Sequence, residues 1–345
     1  MQAELDARLA ALGARGHHTL IAGAIQGQRA VWSGWAAAPP APEATSLFEI
    51  GSITKALTGI LLADMSLRGE VGLDDPLGWH LGSLRPAWRH REPTLVELAT
   101  HRSGLANVPK PLSQGELRYA LGLSRRNPWT GVTASDYAEL VAAESPRRPP
   151  GSAVGYSSMG IGLLGDALAS RAGRPYAELL RERVLEPLGM TTTGVTSVAA
   201  GTARVVQGHS RRGRPRPPLI DLMPAAGSVH SSVEDMLRLL EHCLKPEDGP
   251  LGPALELARR PFARINRRLQ IGLCWLIAAP KRRPAVVWHN GGTWGFRAFA
   301  GFTPDGGTAG VVMANTARGV DRLGFALAAG DPAGRARRPG RPTPR

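Results

Sequence analysis

Lysine is almost missing from this chain. Of its 42 basic residues only Lys55, Lys110, Lys245 and Lys281 are lysines, and arginine supplies the rest. Arginine keeps its proton under all ordinary conditions, whereas a buried amine can release one. A lysine kept in such a sequence therefore marks a place where the amine itself is needed. Cysteine is scarce too: Cys243 and Cys274 are too few for a disulfide framework or a cysteine metal motif. The histidines at 17, 18, 80, 90, 209, 230 and 242 show no ligand spacing of the H-E-x-x-H kind, so neither a metal nor any other cofactor is expected. Glu49 and Glu97 lack the paired carboxylate that glycosidase chemistry needs. No run approaches the roughly 18 apolar residues of a membrane span. The first residues, Met1-Gln-Ala-Glu-Leu-Asp-Ala-Arg-Leu9, are mixed with acids and have no apolar centre. No signal peptide is read there, and the expected compartment is the cytoplasm.

The charge is lopsided, +14 overall, with basic clusters at 211–216, 259–268, 281–283 and 335–345. Such clusters attract phosphate. They lack a recognisable nucleic-acid motif and interleaved aromatics, so no specific nucleic-acid partner is expected. The Pro/Arg/Gly segment 331–345 reads as a disordered basic tail, and residues 208–218 as an exposed loop.

What is present centres on Ser52-Ile-Thr-Lys55. Alone, a serine three places before one of four lysines has about a one-in-five chance of arising at random. Its surroundings add weight. Gly51 permits a sharp turn, and apolar residues at 57, 60, 61 and 65 give a helical stripe over 52–68 that Gly69 ends. On a helix, positions i and i+3 share a face, so the hydroxyl and the amine meet. A serine at a helix N-terminus also has free N–H groups and the helix dipole beside it, ready to stabilise an oxyanion.

Further segments follow in order: Arg68 to Leu77 (RGEVGLDDPL), Leu98-Ala-Thr-His101-Arg-Ser-Gly-Leu105, Pro150-Gly-Ser-Ala-Val-Gly-Tyr156-Ser-Ser158, Glu186-Pro-Leu-Gly-Met190, Pro224 to Met236, and His289-Asn-Gly-Gly-Thr-Trp-Gly-Phe296. Together with F-x-x-G-S-x-T-K over 48–55, this series resembles the serine β-lactamase and penicillin-binding-protein superfamily over roughly residues 20–330. It resembles most the branch holding class C β-lactamases, D-alanyl-D-alanine carboxypeptidases and esterases. The resemblance implies an α+β, β-lactamase/transpeptidase-like fold: an antiparallel sheet flanked by helices, with an inserted all-helical lobe. Residues 1–330 would form one catalytic domain, its α/β lobe from 1–69 and 261–330 and its helical lobe from 70–260.

The resemblance also implies roles. Ser52 would attack a carbonyl and form an acyl-enzyme, with Lys55 and Tyr156 relaying its proton to the leaving group. A phenol is a poor base at its ordinary pKa of about 10, so a cation beside it is required. The N–H groups of Ser52 and Gly292 would form the oxyanion hole. Ser158, His289, Gly291 and Trp294 would bind substrate. His289 follows Ala285-Val-Val-Trp288, which reads as an edge strand, and its glycines let the backbone approach substrate. Neutral imidazole there would hold a substrate carboxylate less firmly than an ammonium ion, a mild tilt toward esters and neutral acyl groups. Where this family has Y-x-N, the chain has Tyr156-Ser157-Ser158; Ser158 either weakens amide recognition or caps the next helix. Trp294 lines the acyl pocket or packs in the core. His101 is read as a structural turn histidine.

The expected activity is serine hydrolase cleavage of a carboxylic ester or amide, a β-lactam or short peptide included, with no membrane partner. A cytosolic acyltransferase and a non-catalytic acyl- or peptide-binding protein are the alternatives.

Strands are expected at 18–25, 28–35, 271–278, 285–289, 297–303 and 309–314. Helices are expected at 2–13, 135–144, 159–172, 175–186, 232–243 and 319–329.

Overall fold

The computed structural model describes all residues except 82–85, 121–122, 125, 147, 196–204, 220–221, 281–283, 305 and 331–345. The expected basic tail therefore lies outside the described residues. The chain opens with α1 (Gln2–Gly13), β1 (Thr19–Gln26), β2 (Arg29–Ala36) and β3 (Phe48–Glu49). A tight turn at 51–53 runs into α2 (Thr54–Leu67). Then come α3 (Leu95–Ala99), α4 (Lys110–Ala120), α5 (Ala134–Ala142), α6 (Ser158–Ala172) and α7 (Tyr176–Leu180). They are followed by β4 (Gly194–Val195), α8 (Pro224–Gly227), β5 (Val229–Ser231), α9 (Val233–Leu244) and α10 (Gly252–Arg259). The C-terminal part holds β6 (Ala263–Asn266), β7 (Leu269–Ile271), β8 (Leu276–Ala278), β9 (Val286–Gly292), β10 (Arg297–Thr303), β11 (Thr308–Ala314) and α11 (Asp321–Ala328).

Eight strands form one antiparallel sheet in the order β2-β1-β11-β10-β9-β8-β7-β6. The two ends of the chain are thus joined in one sheet, with Gly23 of β1 opposite Val311 of β11. Both faces of the central strands are covered, which is why β1, β10 and β11 read as almost unbroken apolar runs. On one face Leu20, Ala22, Phe299 and Val312 pack with Leu5 and Leu9 of α1 and Leu327 of α11. On the other, Ile21, Val311, Met313, Ala298 and Ala300 join the larger core with α2 and α9. α2 is buried on every side from Thr54 to Met65, the mark of a central helix, and so carries Lys55 into the middle of the molecule.

The α+β architecture and the antiparallel sheet expected from the sequence are present, and several details differ. β9 is not an edge strand: it lies between β8 and β10, and the edges are β2 and β6. Segment 271–278 is not one strand. It splits into β7 and β8 around a bend at Cys274, whose φ is +64°. Helix 175–186 is α7 followed by a wider π-turn at Arg181–Leu185. Within the helical segment, β5 pairs with both β3 and β4 in a small three-stranded sheet of order β3-β5-β4. The loop 208–218 is exposed over most of its length, as expected, and is anchored at its start by buried Gly208 and Ser210. Among the described residues, no helix is long and apolar enough to cross a membrane.

Candidate active site

Ser52 sits in the turn at 51–53, two residues before α2, with its side chain half-buried. Lys55 is one helical step further on and fully buried. Its Nζ donates to Ser52 Oγ at 3.1 Å and to the carbonyl of Ala226 at 2.6 Å. Tyr156 arrives from the loop before α6, and its hydroxyl donates to the same Ser52 Oγ at 2.7 Å. Lys55 Nζ also lies 5.0 Å from the centre of the Tyr156 ring. One hydroxyl oxygen thus collects an amine and a phenol, both able to carry its proton.

The loop that delivers Tyr156 is fixed from below. Buried His101, at φ +57°, packs its ring 4.5 Å from that of Tyr156, and its Nδ1 accepts from Ser157 N–H at 3.3 Å. Ser157 caps α6: its Oγ accepts from Gly160 N–H at 2.9 Å and donates to the Ala106 carbonyl at 2.6 Å. The capping serine is therefore Ser157, and Ser158 stands one position on, lining the cleft. Its backbone N–H is held by Asn107 Oδ1 at 3.0 Å.

The opposite wall is the end of β9, where His289, Gly291 and Gly292 lie beside the nucleophile turn. The approach is so close that a Cβ on Gly291 would stand 1.8 Å from the Ile50 carbonyl oxygen and 3.2 Å from Ser52 N. Gly51 is constrained twice, by φ +52° and by Gly292 N, which lies 2.7 Å from where its Cβ would be. The backbone nitrogens of Ser52 and Gly292 are thereby brought to one seam. His289 is buried, and its Nδ1 contacts the Asn290 carbonyl at 2.7 Å.

These residues line a cleft of about 1380 Å³. Trp294 forms part of its wall and also packs against the core, edge-on to Tyr119 at 4.9 Å between ring centres. The sequence reading missed Asn107, Glu116, Tyr119, Trp129 and Arg216. All but Tyr119 line the cleft directly, and Arg216 stacks over the Tyr119 ring at 4.3 Å. Among the described residues, no group of three or more His, Cys, Asp or Glu side chains could hold a metal ion.

Burial drives the His289 pKa down to about 4, and the Lys55 charge adds to the effect. His17 is pushed to about 4 by burial first and the Arg318 and His18 charges second. His101 is lowered well below the ordinary value by burial, then by Lys55 and His289. Each lowered imidazole leaves the unfolded chain binding more protons than the folded one. Its stability contribution is full above pH 6.5 and is lost as pH falls toward about 4, on the order of 3 kcal/mol for each group at about 4. Asp166, raised to about 6 by burial, and Glu116, raised mainly by burial, oppose this in the same window. The three imidazoles are expected to win. The urea midpoint should be lower at pH 4.5 than at pH 7.5, and a midpoint that rises on acidification would contradict this balance.

Comparison with known proteins identifies the family and the fold. The β-lactamase family model matches residues 5–330, and the chain belongs to that family of serine hydrolases. A D-alanyl-D-alanine-carboxypeptidase/endopeptidase, AmpH, of Escherichia coli (strain K12) is 29% identical over 280 residues, covering 76% of this chain and 69% of that protein. A β-lactamase of the same organism is 27% identical over 306 residues, covering 78% and 75%. The crystal structure of a D-stereospecific amidohydrolase from a Streptomyces species superposes with a TM-score of 0.78 at 21% identity. It covers 95% of this chain and 98% of that one, a likeness of fold.

Proposed function

We propose that the protein cleaves a carboxylic ester or amide through an acyl-serine intermediate on Ser52. The observation that carries this reading is the convergence of Lys55 Nζ and Tyr156 OH on Ser52 Oγ, at 3.1 and 2.7 Å. In the resting arrangement both groups donate to that oxygen, so one of them must first be without its proton to act as base. The serine proton then passes to it as Oγ bonds to the carbonyl carbon, and is handed to the leaving oxygen or nitrogen as that bond breaks. Water repeats the sequence to release the acid. The negative charge on the carbonyl oxygen falls between the N–H groups of Ser52 and Gly292.

The relatives named as a carboxypeptidase/endopeptidase and a β-lactamase support the inclusion of amides among the substrates. His289, held neutral by burial, brings no charge to the β9 wall, which favours esters and neutral acyl groups at that point. Ser158, shorter than asparagine and with fewer hydrogen bonds to give, weakens recognition of a substrate amide.

The test is hydrolysis of a short-chain nitrophenyl ester by the native protein and by Ser52→Ala, with a chromogenic cephalosporin alongside. Ester turnover should fall by about 10⁴-fold or more in the variant. Cephalosporin turnover would extend the substrate range to β-lactams. Absence of Ser52-dependent turnover of either compound overturns the proposal.

A further inference from the structure

Thr58 and Tyr176 are buried polar groups behind Lys55 that the hydrolytic reading leaves without work. Within the wholly buried stretch of α2, Thr54, Lys55 and Thr58 carry the side chains with hydrogen bonds to the segment 225–229. Thr54 Oγ1 accepts from Val229 N–H at 3.3 Å, Lys55 Nζ donates to the Ala226 carbonyl at 2.6 Å, and Thr58 Oγ1 donates to the Ala225 carbonyl at 2.7 Å. α2 thus grips α8 and the start of β5 at three points. α6 presses on the same turn: a Cβ on Gly165 would stand 2.2 Å from Ala225 Cβ. An interior hydroxyl needs a partner, whereas valine would fill the space of a threonine without that demand.

The direction of these bonds follows from the count of protons. Thr58 has one hydroxyl proton, and the Ala225 carbonyl, nearer than the Thr54 carbonyl at 3.3 Å, takes it. The Tyr176 hydroxyl, 2.7 Å from Thr58 Oγ1, is therefore the donor of that pair. Burial raises the Tyr176 phenol above its ordinary pKa, so its proton stays in place. The chain runs from Tyr176 O–H, at the first residue of α7, through Thr58 O–H to the Ala225 carbonyl. The next carbonyl along the backbone, that of Ala226, is the one that holds Lys55. It decides where the amine points. An amine rotates about its bond to Cε unless a partner fixes one N–H. With one N–H held by Ala226, the rest of the nitrogen is turned in a set direction, and Ser52 Oγ lies 3.1 Å away.

We propose that Thr58 and Tyr176 are positioning residues: through Ala225 they fix the Ala226 carbonyl, and through that carbonyl they aim Lys55 Nζ at Ser52. The inference rests on the hydrolytic reading for its effect on rate, and on geometry alone for its effect on the amine.

Three variants test it on a nitrophenyl ester, with rates taken per mole of folded protein. Thr58→Val keeps the branched shape and loses the hydroxyl. Its kcat and kcat/KM should fall together by about 10- to 100-fold, as when a reacting group is misplaced. Thr58→Ser keeps the hydroxyl and loses a methyl. Its urea midpoint should fall while its rates stay within about threefold of native. Tyr176→Phe removes only the outer donor and should cost about three- to tenfold, as one hydrogen bond is worth. Rates that follow the urea midpoint instead of the hydroxyl overturn the inference and leave the hydrolase reading standing, and so does Thr58→Val within about threefold of native. The amine is read directly by NMR of protein labelled at lysine Cε, where four lysines give four signals at most. The signal lost in Lys55→Met is that of Lys55. It should move in Thr58→Val and Tyr176→Phe and keep its place in Thr58→Ser. Should the native protein show no Ser52-dependent turnover, the hydrolase reading falls, and this pattern of shifts still supports the positioning. A Lys55 signal that stays in place in Thr58→Val and Tyr176→Phe overturns it in either case.

Discussion

Replacing Lys55 by methionine is expected to lower kcat/KM for ester hydrolysis by about 10³-fold or more while the protein stays folded. The argument starts from what surrounds the amine. Lys55 is fully buried, yet no carboxylate among the described residues forms an ion pair with it. Its hydrogen bonds go to Ser52 Oγ and the Ala226 carbonyl. An unpaired buried cation is costly, and a fold under selection for stability alone would replace it with an apolar side chain. Methionine removes that desolvation cost but leaves the Ala226 carbonyl without its donor, a loss of about 1–3 kcal/mol. The two effects oppose each other, so the urea midpoint should move little while turnover collapses. Lys55→Arg should not rescue, because a guanidinium cannot serve as base and is larger than the filled space around Nζ. Activity of Lys55→Met within tenfold of native would remove Lys55 from the proton path.

Ser52 and Lys55 were legible in the sequence because their relation is local. Three residues along a helical turn fix their meeting, whatever the rest of the chain does. Tyr156 lies 104 residues from Ser52, and only the order of motifs shared with a known family pointed to it. The serines at 157 and 158 show the limit of that reading. Either can cap a helix, and a one-residue choice of where α6 begins decided that Ser157 caps and Ser158 faces the cleft. The central strands were visible as long apolar runs. β6, β7 and β8 have only three or four residues each, too few for a period of two to stand out, so the sequence points to β9 as an edge although three further strands lie beyond it. The far wall of the cleft was not legible. Tyr119, Trp294 and Arg216 come from a helix, a hairpin and a loop that nothing local ties together, and only the folded chain stacks them.

The close approach of β9 to the nucleophile turn leads to the other large effect: Gly291→Ala should cut kcat by 10²- to 10³-fold, on the order of losing one oxyanion donor. Gly291 is not in the left-handed region, so alanine meets no backbone strain there, and the effect isolates the contact. The added methyl would start 1.8 Å from the Ile50 oxygen and 2.8 Å from its carbon. Neither side can yield cheaply. Gly291 is held in register opposite Ala298, and the turn is tied down by Ile50 N–H to Val229 at 3.0 Å and Ile53 N–H to Ile50 at 3.2 Å. Relief requires the strand and the turn to part by more than about 1 Å, the scale of misplacement that costs about 100-fold in rate. Since the two proposed oxyanion donors stand on opposite sides of this contact, their spacing opens while the cleft wall that binds substrate keeps its shape. The loss should therefore appear in kcat with little change in KM, together with about 1–3 kcal/mol of overpacking cost in the urea midpoint. Steady-state kinetics on a nitrophenyl ester decide it. A kcat within a few-fold of native, in protein with native circular dichroism, would show that the spacing of Ser52 and Gly292 does not govern the rate.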